Sequence, residues 1–294
     1  MRICTLLLPG IAWLAMMPGG FTPEQAPQAL IDSGRLRGLY VAALTRGGAF
    51  LGIPYAAQPV GRLRWRPPQR TPSWEGVKGA TQYGPACPQA PSPWLPQMLD
   101  IEKMPADEAC LYLNVWTPDL HPEKRLPVLV WVHGGGNVEG SGEWPPLGVT
   151  LAQQGVVVVS INYRLGALGF LALPALSAES EQGVSGNYGH LDQLEALRWV
   201  RRNVEQFGGD PDQVTIGGQS SGALDVCNLM ASPLSRGLFE RAILQSGVCV
   251  DSVYPDVHAA EANGERLVQD LGIPLGPKAL EALRTVPAER IRQA

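Results

Sequence analysis

The pattern of apolar and polar positions changes along the chain. From residue 30 to 55, short β-prone pieces are broken by glycine, which predicts a small antiparallel meander. From residue 127 onward, PVLVWVH (127–133) and VVVVSI (156–161) are continuously apolar and rich in β-branched residues. Such runs are typical of strands buried on both faces of a parallel sheet. Between them, LGVTLAQQG predicts a crossover helix that ends at Gly155.

The alternation of strands and helices continues to the end of the chain. Apolar residues recur three or four apart over 191–207, which predicts an amphipathic helix. A strand VTI (214–216), a turn at Ser220, a helix over about 222–231 and a strand RAILQ (241–245) follow. The last forty residues predict two more helices. This order indicates a mostly parallel sheet flanked by helices, in which sites form at the carboxyl ends of the strands.

Composition and charge narrow the class of protein. Of the 294 residues, 45% are apolar and 17% are charged, which fits a globular protein and excludes a disordered or fibrous chain. The net charge is −4 and the chain has no run of Lys or Arg. Nucleic acid and an anionic membrane surface are therefore not expected as partners.

The N-terminal segment, residues 1–20, has one cation and then an apolar stretch that is too short to cross a bilayer. We interpret it as a secretory signal peptide. A buried first strand or an uncleaved anchor is the alternative. The folded domain is then expected over 30–294, in a secreted or periplasmic protein with no membrane span after signal removal.

Cysteine spacing gives no indication of a metal site, since the chain has no CxxC and no Cys/His cluster at zinc spacing. Cys4 lies in the predicted signal peptide. In an oxidising compartment, Cys87 and Cys110 could close a short loop. Cys227 and Cys249 are interpreted as buried thiols.

The sequence GQSSG (218–222) is the one G-x-S-x-G in the chain and lies between a predicted strand and a predicted helix. A serine on a sharp strand-to-helix turn needs glycines where a Cβ would clash. Such a turn exposes the hydroxyl of Ser220 and places the amide of Ser221 at a helix N-terminus, where it can donate to an oxyanion. A plain tight turn is the alternative.

A second motif, HGGG (133–136), directly follows a predicted buried strand. Glycines let backbone amides approach a substrate oxygen, so Gly135 and Gly136 are candidate oxyanion donors. A simple glycine turn is the alternative. Both motifs follow strands, and this supports a shared site.

Together these motifs and several longer stretches resemble the type-B carboxylesterases, which include the cholinesterases and the bacterial esterases related to p-nitrobenzyl esterase. The resemblance follows the chain in order from about residue 30 to the end. The matching stretches are FLGIPYAAQPVGRLRWRPPQ (50–69), CPQ (87–89), CLYLNVWTP (110–118), PVLVWVHGGG (127–136), INYRLGALGFL (161–171), GNYGHLDQLEALRWVRRNVEQFGGDP (186–211), GQSSG and LFERAILQSG (238–247).

The resemblance implies an α/β-hydrolase fold and hydrolysis of small-molecule carboxylic esters without a metal or organic cofactor. It implies that Ser220 is the nucleophile, and that the amides of Gly135, Gly136 and Ser221 form the oxyanion hole. A member of this family that has lost catalysis would instead be a binding or adhesion protein, as in cholinesterase-like adhesion molecules.

Two structural pairings are also implied. Cys87 and Cys110 match the family's first disulfide, and Arg64 with Glu108 matches an ion pair that we expect to support the scaffold.

Four positions depart from the family pattern. Gln219 stands where Glu is usual, Asn137 replaces an aromatic residue, Ala109 replaces Asp, and His190 replaces an apolar residue at the start of a helix. We expect the loss of Glu at 219 not to abolish chemistry, and the change at Asn137 to alter the shape of the substrate pocket.

A base and an acid for Ser220 are not evident in these residues. In α/β-hydrolases the chain order is Ser, then Asp or Glu, then His. Only His258 follows Ser220, and nothing around it resembles a catalytic turn. His133 matches the family's structural histidine before the glycines, and His121 lies in a surface-like segment, DLHPEK. Asp225 and Asp251 are interpreted as solvated or helix-associated. The chain resembles the N-terminal half of the family, so we expect a fragment of a full esterase; a short product without efficient catalysis is the alternative.

Overall fold

The computed structural model describes residues 26–90, 105–143, 145–249 and 255–294. The predicted signal peptide and Asp251 lie outside the described residues. No helix in these four described segments is long and apolar enough to cross a membrane.

The strands of the described segments form two sheets. They are β1 (Gln28–Ile31), β2 (Gly34–Arg37), β3 (Gly48–Pro54), β4 (Val77–Gly79), β5 (Tyr112–Thr117), β6 (Leu126–Val132), β7 (Val157–Ile161), β8 (Gly209–Gln219) and β9 (Arg241–Gln245). A small sheet has the order β1-β2-β4, and the central sheet has the order β3-β5-β7-β6-β8-β9.

The central sheet is mixed. Strands β7, β6, β8 and β9 run parallel, whereas β3 and β5 add an antiparallel edge. The predicted mostly parallel sheet is therefore confirmed. The predicted antiparallel N-terminal strands are also present, and they divide between the two sheets: β1 pairs with β2, and β3 pairs with β5.

The helices of the described segments are α1 (Pro145–Ala152), α2 (Gly166–Phe170), α3 (Pro174–Glu179), α4 (Tyr188–Asn203), α5 (Ser221–Ala231), α6 (Val257–Asp270), α7 (Ala279–Thr285) and α8 (Ala288–Gln293). The crossover helix is α1, and Gly155 adopts a left-handed φ of 83° just after it. The amphipathic helix is α4, which tightens into a 3₁₀ turn and ends at Gly208 with φ 77°.

The end of the chain differs from the prediction, because the second C-terminal helix is two helices, α7 and α8. Val286 is extended, with ψ 131°, and Pro287 precedes α8. Proline disfavours a helical conformation in the residue before it and has no N–H for the helix ladder. Pro287 therefore ends one helix and starts the next.

Apolar strands and the α4 helix form the main core. Val130, Val159 and Ile216 of neighbouring parallel strands are completely buried. Phe50 and Phe207 meet edge to face with ring centroids 5.0 Å apart. A second cluster, which includes Leu283 and Ile291, packs α7 and α8 against α2 and α3.

The predicted ion pair joins the N-terminal part of the chain to the C-terminal helices. Arg64 places Nε and Nη2 2.5 Å from the two carboxylate oxygens of Glu108. Its Nη1 donates to the carbonyl of Val286 at 2.6 Å. Both side chains are largely buried, so the pair supports the scaffold, as expected.

Candidate active site

Strand register brings the two glycine motifs together. Val132, the last residue of β6, pairs with Gly218 near the end of the parallel strand β8. The residues that follow each strand are therefore neighbours at the carboxyl edge of the sheet. A Cβ placed on Gly134 would lie 2.5 Å from the carbonyl oxygen of Gln219 and 3.1 Å from Cβ of Ser220. This is the topological position in which sites of parallel sheets form.

Ser220 occupies a strained turn between β8 and α5. Its φ is 55° and its ψ is −125°, a region that L residues rarely adopt. Its amide donates to the carbonyl of Gln245 at 2.8 Å, which fixes the turn to the end of β9. Strain of this kind is found at functional sites, where the surrounding structure imposes it.

The glycines of GQSSG are required by close backbone approach. A Cβ on Gly218 would lie 2.3 Å from the carbonyl oxygen of Gly222. A Cβ on Gly222 would lie 2.4 Å from the carbonyl oxygen of Val132 and 2.6 Å from that of His133. Since these contacts are to backbone atoms, neither position accepts a side chain. The turn therefore has the close backbone packing, between a strand and a helix, that a nucleophile elbow requires.

The amides of Gly135, Gly136 and Ser221 are candidate anion donors. Gly135 and Gly136 have φ of 112° and 63°, conformations that glycine adopts without cost. Ser221 is the first residue of α5, so its N–H has no partner in the helix. Across the described segments, no acceptor is recorded for these three amides. They remain available for an oxygen ligand.

A buried polar cluster lies directly beneath this loop. Asn137 Nδ2 donates to Asp225 Oδ1 at 2.9 Å, and Gln193 Nε2 donates to Asp225 Oδ2 at 2.7 Å. His190 Nδ1 lies 3.8 Å from Asp225 Oδ1. The prediction that Asp225 is helix-associated is confirmed, but it is not solvated, because it is completely buried in α5. Burial raises the pKa of Asp225 and lowers that of His190.

No base contacts the candidate nucleophile within the described segments. No hydrogen bond to the hydroxyl of Ser220 is recorded there. His258, the one histidine that follows Ser220 in the sequence, is exposed in the first turn of α6. His121 is exposed, and His133 is buried against Tyr163 with ring centroids 4.4 Å apart. No hydrogen bond from these three side chains to Ser220 is recorded in the described segments, and the fourth histidine, His190, bonds Asn228 instead.

His133, at the start of the glycine loop, has a buried ring that is neutral near pH ~7. Its Nδ1 lies 2.8 Å from the carbonyl oxygen of Gly134, so Nδ1 carries the proton and donates. The ring is 3% exposed, and Nε2 has no partner in the described part of the chain. Burial lowers the pKa of His133 to about 4.

We expect the free energy of unfolding to fall with acidification through His133. An unfolded histidine titrates near ~6.5, so between that pH and about 4 the unfolded state binds more protons. This contribution is fully present above pH ~6.5 and is lost as the pH falls toward about 4. At pH ~5 the loss amounts to about 2 kcal/mol. Urea denaturation at pH ~7 and ~5 should show a larger loss for the unaltered protein than for His133→Gln. Equal losses would contradict a buried neutral ring.

The structure contains two disulfides in its described residues. Cys87 and Cys110 are bonded, as the resemblance implied. The interpretation of Cys227 and Cys249 as thiols is wrong, because they are also bonded, with Cα atoms 5.4 Å apart. Cys227 lies in α5 and Cys249 follows β9, and these two elements pack side by side. Sequence spacing does not reveal that packing.

Within the described segments, no group of three or more potential ligands is placed to hold a metal ion.

The fold and the serine turn define the class of this protein. A mixed sheet with flanking helices, and a strained serine between a parallel strand and a helix, are the features of the α/β-hydrolase fold. The model of the carboxylesterase family matches residues 25–294, and the chain belongs to this family.

Named relatives agree with this assignment. The chain is 46% identical over 230 residues to fumonisin B1 esterase of Sphingopyxis macrogoltabida, a match that covers 76% of this chain and 40% of that protein. It is 45% identical over 246 residues to para-nitrobenzyl esterase of Bacillus subtilis strain 168, covering 83% of this chain and 48% of that protein. The chain thus spans less than half the length of these relatives.

A solved structure shows the same arrangement. A carboxylesterase of Geobacillus stearothermophilus superposes with a TM-score of 0.78 and 40% sequence identity, over 90% of this chain and 53% of that chain. The expectations of the carboxylesterase family and of an α/β-hydrolase fold are confirmed by this likeness and by the family match.

Proposed function

We propose that Ser220 is the nucleophile of a serine hydrolase that cleaves small-molecule carboxylic esters through an acyl-enzyme. The observation that carries this proposal is the conformation of Ser220, with φ 55° and ψ −125°, beside three amides for which no acceptor is recorded in the described segments. Backbone strain of this kind is concentrated at active sites, ligand clamps and switch regions, so it supports a functional role for Ser220.

The proposed reaction proceeds in two halves. Ser220 Oγ attacks the ester carbonyl carbon while a base takes its proton, and the carbonyl oxygen becomes an oxyanion. The amides of Gly135, Gly136 and Ser221 donate to that oxyanion. The tetrahedral intermediate then expels the alcohol, which receives the proton from the base, and the acyl group stays on Ser220. Water then attacks the acyl carbon while the same base takes one of its protons. The bond to Ser220 Oγ breaks, Oγ takes the proton back from the base, and the carboxylic acid is released. These steps use no cofactor.

The base and its carboxylate partner are proposed to come from outside these 294 residues. Two observations support this. No hydrogen bond between a histidine and Ser220 is recorded in the described segments, and the chain spans 40% and 48% of the two relatives compared above. The chain is accordingly proposed to be part of a longer enzyme. An intact mass of the protein from its natural source that matches 31.5 kDa, or less, would contradict this.

We also propose an oxidising location, secreted or periplasmic. The Cys87–Cys110 and Cys227–Cys249 bonds support it, since disulfides persist in such compartments. The signal-like pattern of residues 1–20 points the same way.

Ester turnover by the full-length protein tests the function. We expect hydrolysis of p-nitrophenyl acetate, and no hydrolysis of p-nitrophenyl phosphate above the buffer rate, because the oxyanion donors fit one developing charge on a planar carbonyl. Protein heated to unfold it is the control. If the folded full-length protein leaves both compounds intact, the chain belongs to a binding or adhesion protein and the proposal is wrong.

A further inference from the structure

Asn137 links the glycine loop to the helix that follows Ser220. It comes directly after Gly136 and has a φ of 59°, in the left-handed region that Asn tolerates better than most residues. It is 9% exposed, so its side chain points inward rather than toward a substrate. Its own amide donates to Oγ of Ser221 at 3.3 Å. The residue therefore touches both segments that carry the candidate oxyanion donors.

The side chain of Asn137 is bonded at both ends. Nδ2 donates to Oδ1 of Asp225 at 2.9 Å, and Oδ1 accepts from the hydroxyl of Tyr163 at 3.0 Å. The same hydroxyl lies 2.9 Å from the carbonyl oxygen of His133, at the start of the loop. These bonds fix the side chain in one orientation, because its amide has a donor on one side and an acceptor on the other.

Asp225 is itself fixed by a second helix. Its Oδ2 accepts from Nε2 of Gln193, in α4, at 2.7 Å, and the carboxylate is completely buried. A hydrogen bond to a buried carboxylate is stronger than one between neutral groups. The bond between Asn137 and Asp225 therefore joins the loop to two packed helices.

We infer that Asn137 and Asp225 are positioning residues, which hold the amides of Gly135, Gly136 and Ser221 in the geometry that an oxyanion requires. The inference rests on the proposed function. It gives a role to Asn137, which departs from the aromatic residue usual in this family. Backbone amides stabilise an oxyanion in the transition state only when they are fixed in the required geometry beforehand. If loss of this bond lets the loop move, its amides donate to the oxyanion less effectively.

The test compares variants of the full-length protein with p-nitrophenyl acetate. Asn137→Gly keeps a residue that accepts φ 59° and removes both side-chain bonds. We expect kcat to fall about thirtyfold, with KM changed less than about twofold, because the donors act in the transition state. Asn228→Ala is the matched control, since Asn228 is half-buried in the same helix as Asp225, bonds His190, and has no hydrogen bond to Asn137 recorded in the described segments. Its kcat should stay within about twofold of the unaltered protein.

A reciprocal exchange separates positioning from stability. In the double variant Asn137→Asp with Asp225→Asn, donor and acceptor are exchanged across the same bond, and we expect kcat to return to within about fivefold. Asn137→Asp alone places two buried carboxylates side by side, and its kcat should fall about as far as that of Asn137→Gly.

Two failures can be told apart. If Asn137→Gly keeps kcat within about twofold while turnover still requires Ser220, the positioning role is wrong and the proposed function stands. If the exchange variant is folded and as slow as Asn137→Asp alone, the role of this bond is also wrong. If Ser220→Ala retains full turnover, the proposed function itself fails.

Discussion

Replacing Ser220 by alanine is expected to lower kcat for p-nitrophenyl acetate by a factor on the order of 10⁴ or more. The reason is chemical, because alanine has no atom that can form the acyl-enzyme. The substitution removes one oxygen from a half-exposed side chain to which the described segments record no hydrogen bond. The free energy of unfolding should therefore change little.

The control for this change is Ser73→Ala, at an exposed serine in a loop. It should leave kcat and KM unaltered. Steady-state kinetics of both variants in the full-length protein, with urea denaturation alongside, are the measurement. A Ser220→Ala protein that keeps more than about a tenth of the turnover would show that another group performs the chemistry.

Breaking the ion pair between Arg164 and Asp192 is expected to give the largest loss of stability. Arg164 is 2% exposed and Asp192 is completely buried. Nε and Nη2 of Arg164 donate to the two oxygens of Asp192, each at 2.7 Å. Arg164→Met leaves this carboxylate buried without its cation, and we expect the free energy of unfolding to fall by about 3–5 kcal/mol.

A matched surface pair gives the comparison. Arg201 lies in α4, as Asp192 does; its side chain is 43% exposed and pairs with that of Asp212, which is 77% exposed. Arg201→Met should cost less than about 1 kcal/mol, because solvent screens an exposed pair. Urea denaturation of both variants is the measurement. The prediction fails if Arg164→Met costs no more than Arg201→Met.

Replacing both members of the buried pair is informative as well. The double variant Arg164→Met with Asp192→Leu should recover much of the loss, since no uncompensated charge stays inside. Such a recovery would show that the loss in Arg164→Met comes from the unpaired buried carboxylate and not from a net contribution of the pair.

The frame of the site could be predicted from sequence because it depends on local patterns. Continuous β-branched runs predicted β6 and β7, and RAILQ was predicted with the bounds that β9 has. The glycines of GQSSG and HGGG predicted close backbone approach, and the distances at Gly218 and Gly222 show which atoms make it necessary.

Other features depend on how distant elements pack, and the sequence alone did not reveal them. The Cys227–Cys249 bond requires α5 to lie beside the segment after β9. The contact of Asn137 with Asp225 spans 88 positions and two elements. Departure of Asn137 and His190 from the family pattern was a signal that this region differs, but it did not indicate that both lie near one buried carboxylate.

Covalent labelling tests the central claim most directly. A fluorophosphonate reacts with a serine only where a base and an oxyanion hole activate it. The full-length protein should take up one label per chain, on the peptide that contains Ser220, and the Ser220→Ala variant should take up none. Labelling of a different residue, or the absence of any label on the folded full-length protein, would contradict the account of Ser220 as an activated nucleophile.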